Sequence, residues 1–361
     1  MLQRAPSPGR SAALVLAALV AACGDGAPRG GGAPAGAQPI PGLTAGAWSW
    51  VPVDGARCED GTPTGVAVSP GAGPDLVVFL NGGGACWDWL SCYVLDLAAT
   101  GPFGEAEFRA LGTSRLPGSI LDRTLPGNPY ADASLVFVPY CTGDVHAGVR
   151  VATYTGAEGA RAYHHVGRLN LEAALPRLAA TFPSPRRLVV AGSSAGGFGS
   201  LLNYDLLRST WPHALGLLVD DSGPPLPDGA VPPAVLSAWR ASWGVDTFLA
   251  PLCGSACDAG FGPLVGKLSA RWPGDRFALL SSVRDTVVSG YFQLAPSEFE
   301  AALRAAVADD LGPVPGAAAF LVPGDGHTML GAPAKFTQGV PLLDWLSAQA
   351  RGDAGWASEV P

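Results

Sequence analysis

Lysine is almost missing from this chain: Lys267 and Lys335 are the only two among 361 residues. Charged residues of all kinds make up 14% of the sequence, and the formal net charge is -8. With no basic patch and no aromatic-rich basic stripe, a nucleic-acid partner is excluded. A phosphate cradle of the G-x-x-x-x-G-K-[ST] type is absent as well. So is any C-x-x-C pair or histidine at ligand spacing beside a cysteine, which argues against zinc and leaves no metal expected. No apolar run is long enough for a permanent membrane span, and no internal repeat is visible. What the chain has in quantity is glycine, 49 residues, and apolar side chains, 48% of the total. That supply suits one sizeable core.

The first residues read as a targeting segment. Arg4 and Arg10 precede the apolar stretch 12–22, which is short and fits a secretory h-region. Val20-Ala21-Ala22-Cys23 resembles a bacterial lipobox, which makes Cys23 a lipid anchor; ordinary secretion is the alternative. Removing residues 1–22 as a signal peptide deletes two arginines and no acid, so the charge moves to about -10. Residues 23–45 are rich in Gly, Ala and Pro and read as a flexible tether. The expected location is therefore outside the cytoplasm, either secreted or held on the cell envelope. Six cysteines remain after Cys23, namely Cys58, Cys86, Cys92, Cys141, Cys253 and Cys257. An even number in an exported chain suggests disulfides. The close pairs Cys86–Cys92 and Cys253–Cys257 would leave Cys58 for Cys141, although spacing alone leaves the connectivity open.

Six short apolar runs read as buried strands: 76–80, 135–138, 188–191, 215–219, 277–280 and 318–322. Helix-compatible stretches lie at 169–178, 198–207, 235–243, 296–308 and 340–350. This alternation predicts an α/β fold, a mostly parallel sheet with helices on both faces, as one domain over 46–361. The Pro- and Gly-rich stretches 101–129 and 222–233 read as long surface loops. His164 and His165 fall at an expected helix start and read as structural.

The chemistry centres on Gly192-Ser193-Ser194-Ala195-Gly196. Strand, G-x-S-x-G, helix is the nucleophile elbow, a strained turn that exposes one serine hydroxyl at the end of a central strand. Ser194 is the candidate nucleophile. On such sheets the chain order is serine, acid, histidine. Of five histidines, His213 and His327 alone follow Ser194. His213 is too close to allow an intervening acid strand, whereas His327 follows the last strand in a glycine-rich loop. Asp285, on the exit of the 277–280 strand, is the candidate acid. Asp220 and Asp221 come second, and Asp325 is too near His327. An oxyanion hole requires backbone amides. Ala195 supplies one, and the glycine turn after the 76–80 strand supplies Gly83 and Gly84. Asp144, His146 and Trp87 are candidates for the pocket wall.

Three segments together resemble the pectin acetylesterase/Notum family, most closely its bacterial branch. They are Gly82-Gly83-Gly84-Ala85-Cys86-Trp87, Pro139-Tyr140-Cys141-Thr142-Gly143-Asp144-Val145-His146, and Gly192-Ser193-Ser194-Ala195-Gly196-Gly197. The resemblance implies an α/β-hydrolase fold and carboxylesterase activity without a cofactor. It also implies Ser194, Asp285 and His327 as the triad, and Gly83, Gly84 and Ala195 as oxyanion donors. The partner it implies is an ester substrate, small or polysaccharide. One departure is that Gly84 and Ala85 stand where the family carries a tryptophan, with Trp87 after Cys86; this predicts an opened acyl side. A lipase or amidase on the same fold, and a non-catalytic binding protein on that scaffold, are the rival readings. Natural substrate, acyl length and oligomeric state are not legible.

Overall fold

The computed structural model describes residues 36–157 and 159–361. The expected signal peptide 1–22 and Cys23 lie outside the described residues. The described residues group into one compact unit. Within it, the end of the expected tether is held in place: Ile40 is buried and its N–H donates to Thr181 Oγ1 at 2.9 Å.

The centre is an eight-stranded sheet in the order β1-β2-β4-β3-β7-β8-β9-β10. Its strands are β1 (Ser49–Arg57), β2 (Pro63–Ser69), β3 (Leu76–Leu80), β4 (Ser134–Val138), β7 (Arg187–Ser193), β8 (Leu215–Asp221), β9 (Arg276–Ser282) and β10 (Ala317–Val322). β1 and β2 join antiparallel at one edge, and the remaining six strands run parallel. A separate antiparallel hairpin, β5 (Arg150–Gly156) and β6 (Gly159–His165), stands off the main sheet.

The parallel strands are apolar without alternation because both faces are covered. Val78, Leu80, Val190 and Leu279 belong to one core. Their strand neighbours Val77, Phe79, Val189 and Leu280 belong to the other. The helices are α1 (Glu105–Ser114), α2 (Gly167–Thr181), α3 (Ala195–Leu202), α4 (Tyr204–Thr210), α5 (Pro233–Trp243), α6 (Asp246–Cys253), α7 (Leu264–Arg271), α8 (Thr286–Tyr291), α9 (Pro296–Ala305) and α10 (Leu342–Arg351). Among the described residues, no helix is long and apolar enough to cross a membrane.

Three expectations change. The 101–129 stretch is not all loop, since it contains α1 and buries Ile120 and Leu121. The 198–207 helix is broken at Asn203 into α3 and α4. His164 and His165 end β6 and precede α2.

Disulfides join Cys58 to Cys141, Cys86 to Cys92, and Cys253 to Cys257. The first ties the β1–β2 turn to the loop after β4. The second braces the loop after β3.

The β7–α3 turn explains its glycines. A Cβ on Gly192 would lie 2.1 Å from the Gly196 carbonyl oxygen, and one on Gly196 would lie 1.9 Å from that of Leu80. Both neighbours are backbone and cannot swing aside. Gly196→Ala is therefore expected to cost about 3 kcal/mol of stability. Urea unfolding of the two proteins measures it.

Candidate active site

Ser194, Asp285 and His327 follow β7, β9 and β10 respectively, so all three lie off the carboxyl ends of parallel strands, where open α/β sheets place their sites. Ser194 has φ 59° and ψ -122°. A non-glycine residue at positive φ is strained, and it persists where the surroundings enforce it. Here the enforcement is visible: Ser194 N–H donates to the Asp221 carbonyl at 2.7 Å, while its own carbonyl accepts from Gly197 N at 2.8 Å. The Ser194 side chain caps nothing. Its hydroxyl is left for other work.

Asp285 is fully buried and divides its two oxygens between two tasks. Oδ1 accepts from the Val287 and Val288 amides at 3.0 Å each, capping α8. Oδ2 faces His327 Nδ1 at 2.7 Å. A carboxylate can only accept, so Nδ1 carries the proton and Nε2 is left as the acceptor. His327 remains partly open to solvent, with 22% of its side chain exposed. Ser194 and His327 line the same cleft of about 620 Å³, together with Asn81 to Gly84.

The glycine turn is pressed against the elbow. A Cβ on Gly82 would meet the Ser193 carbonyl oxygen at 2.6 Å. Three of its carbonyls are tied back: Asn81 O by His146 Nε2 at 2.8 Å, Gly83 O by the Ala99 amide at 2.6 Å, and Gly84 O by the Tyr140 hydroxyl at 2.8 Å. With these carbonyls turned to the protein, the turn is braced at Asn81, Gly83 and Gly84. Ala195 is the first residue of α3, and an N–H in the first helical turn has no intrahelical acceptor.

A second, small pocket of about 40 Å³ opens on the other side of Ser194. Its walls are apolar and aromatic, with Phe198, Trp239, Trp243, Phe261 and Phe292 among them. The sequence predicted an opened acyl side. Instead, Trp239 stacks on Trp243 with ring centroids 5.7 Å apart and meets Phe292 at 5.7 Å, filling this side from α5. No local pattern on α5 announced that role.

The three residues considered for the pocket wall lie elsewhere. Trp87 packs edge-on behind Trp239 at 5.6 Å and lines neither cavity. Asp144 and His146 are buried behind the glycine turn. Asp144 shapes its own loop by accepting from Thr142 Oγ1 at 2.6 Å and the Gly167 amide at 2.7 Å, and burial pushes its pKa up to about 7. Burial pushes His146 down to about 4, so it is neutral and Nε2 donates to Asn81. His213 is exposed and precedes β8, at the amino end of the parallel strands, whereas Ser194 follows the carboxyl end of the neighbouring β7. Asp221, a second choice for the acid, bonds Ser193 Oγ and the amides of Met329 and Leu330 rather than the imidazole.

Cys86, Cys92 and His165 place their ligand atoms within 4.8 Å of one another. They do not fit a metal, because the two sulfurs are bonded to each other. His165 is occupied too: Nδ1 donates to the Thr142 carbonyl at 3.0 Å and Nε2 accepts from Tyr154 at 2.8 Å. Burial pushes its pKa down to about 3 from 6.5. Below the unfolded value the unfolded chain binds a proton that the folded one refuses, so this contribution to stability is lost as pH falls. Relative to His165→Gln, the wild type is expected to lose about 2 kcal/mol between pH 7 and pH 5. Urea unfolding at both pH values measures that narrowing.

The sheet order, the strained elbow and the acid–histidine pair at the strand ends define an α/β-hydrolase fold. The chain is similar to the pectin acetylesterase/Notum family over just under half of its length. The family model for pectinacetylesterase matches residues 51–224, which include Ser194 and the glycine turn and stop before Asp285 and His327. Curated relatives include a palmitoleoyl-protein carboxylesterase notum1' of Xenopus laevis, 32% identical over 155 residues, covering 42% of this chain and 30% of that protein. Another is the palmitoleoyl-protein carboxylesterase NOTUM of Homo sapiens, 31% identical over 151 residues, covering 41% and 29%. The match thus spans less than a third of these relatives' length. The structure of the Wnt deacylase Notum from Drosophila superposes with a TM-score of 0.61 at 21% identity, over 84% of this chain and 93% of that one. That likeness concerns the fold.

Proposed function

We propose that this protein is an exported serine carboxylesterase. The observation that carries the reading is Ser194, strained into an elbow on the same cleft as an imidazole whose Nδ1 is held by a buried carboxylate. In the reaction Ser194 Oγ attacks the ester carbonyl carbon and passes its proton to His327 Nε2. Asp285 keeps the ring in the required tautomer and stabilises the imidazolium. The amides of Gly83, Gly84 and Ala195 receive the negative charge that develops on the carbonyl oxygen. His327 returns the proton to the departing alcohol oxygen, the carbon–oxygen bond breaks, and an acyl-enzyme remains. Water, deprotonated by the same imidazole, then releases the acid.

The two cavities support a division of the substrate. A short acyl group such as acetyl fits the small aromatic pocket, and a bulky alcohol, as in an acetylated polysaccharide, fits the open cleft. The long acyl group named for the relatives stays with those relatives. Three disulfides support an oxidising compartment. The Ala21-Ala22-Cys23 sequence supports a lipid anchor on the envelope.

A panel of p-nitrophenyl esters tests the reading. The wild type is expected to favour acetate over octanoate by about 100-fold in kcat/KM. Trp239→Ala, which removes one aromatic wall of the pocket, is expected to reduce that preference about tenfold by raising octanoate turnover. Failure to hydrolyse any ester would remove the reading, and an unchanged preference would remove the assignment of the pocket.

A further inference from the structure

We propose that the buried carboxylate of Asp221 is a positioning residue that holds the nucleophile turn and the histidine loop in register. β8 lies between β7 and β9, and Asp221 is its last residue, paired in register with Ser193. Four groups from the flanking loops converge on it, and the hydroxyl of its neighbour Ser222 lies 3.5 Å from Oδ1. Ser193 Oγ donates to Oδ2 at 2.7 Å. Met329 N–H lies 2.9 Å from both oxygens, and Leu330 N–H donates to Oδ2 at 2.9 Å. On the backbone side, the Asp221 carbonyl accepts the Ser194 N–H at 2.7 Å. One fully buried residue therefore grips the amide of the nucleophile, the hydroxyl beside it, and two amides just after His327. Its neighbour Ser222 extends the same grip, accepting the Thr328 amide at 3.2 Å.

The arrangement has a reason. Ser194 and Thr328 both sit at positive φ, 59° in each case, so neither turn has its shape from local preference. The segments come from strands separated by β8 and β9, and Asp221 stands at the end of the strand beside the elbow. Burying a carboxylate is costly unless its oxygens are filled, and here the donors come from both catalytic loops. Removing the charge thus loosens the two loops relative to each other. Asp221 touches neither substrate nor imidazole in this role. The acid for His327 is Asp285.

The inference rests on the esterase reading, and its test includes an arm that needs no turnover. Asp221→Asn keeps the shape, but whichever way the amide turns, its NH2 faces the Met329 N–H, which lies 2.9 Å from both oxygen positions. With the fold checked by circular dichroism, kcat on p-nitrophenyl acetate is expected to fall about 100-fold. KM is expected to stay within about threefold. Ser193→Ala cuts the elbow arm alone, and kcat is expected to fall about tenfold. The double variant is expected to lose less than the product of the two single losses, because both changes act through the same side chain. In proton NMR the low-field Nδ1 resonance of His327 is expected to shift or broaden in Asp221→Asn. A folded Asp221→Asn with wild-type kcat and an unmoved resonance overturns the proposal, as does additivity of the two changes. Should Asp221→Asn fail to fold, Ser193→Ala decides alone, and unaltered kcat there overturns it. A wild type without esterase activity sinks the esterase reading, while the resonance still reports whether Asp221 holds the loop.

Discussion

Ser194→Ala is expected to abolish ester hydrolysis, a loss of about 10⁵-fold or more in kcat, with the fold intact. The second half of that statement follows from the turn. The Ser194 hydroxyl caps no helix, and the backbone at φ 59° is held by the Asp221 carbonyl and by Gly192 and Gly196 rather than by the side chain. Alanine meets the same strain as serine, so unfolding by urea should differ by less than about 1 kcal/mol. The rate effect is large because Oγ forms the covalent bond, and no neighbour replaces it. Ser193 Oγ is adjacent in sequence but is engaged by Asp221 at 2.7 Å. Steady-state kinetics on p-nitrophenyl acetate measure the loss.

Asp285→Asn is expected to lower kcat by about 10⁴-fold while sparing α8. The carboxylate has separate duties on its two oxygens. An asparagine can keep its carbonyl oxygen toward the Val287 and Val288 amides, so the cap survives. Its NH2 must then face Nδ1 of His327. An NH2 donates, so the ring has to move its proton to Nε2, where the serine needs an acceptor. The imidazolium also loses its counter-charge. Asp285→Ala is expected to suffer the same rate loss and a further destabilisation of about 1 kcal/mol from the lost cap. The difference between the two variants in urea separates the capping duty from the chemical one.

Much of this architecture was legible because of where it is buried. β3, β4, β7, β8, β9 and β10 are covered on both faces, so each reads as an unbroken apolar run. β1 carries Pro52, Asp54 and Gly55 and faces solvent with much of its length, which hid it. The β5–β6 hairpin is mostly exposed and shows little apolar alternation. α1 buries Phe108 alone, so it has no helical stripe to detect. In the candidate site, the elbow turn at Ser194 was legible from its glycines, and the pairing of Asp285 with His327 from chain order on this kind of sheet. Trp239 and Asp221 were not, because their places depend on which strands and helices become neighbours. Trp239 reaches the elbow from α5, some 45 positions later in the chain. Asp221 looks like any acid ending a strand until β8 is set between β7 and β9.

Labelling with a fluorophosphonate followed by peptide mass analysis tests the central assignment most directly. The account predicts one stoichiometric adduct on Ser194, absent in Ser194→Ala and strongly slowed in Asp285→Asn. A wild type that takes no label, or a Ser194→Ala variant labelled as readily as the wild type, contradicts it.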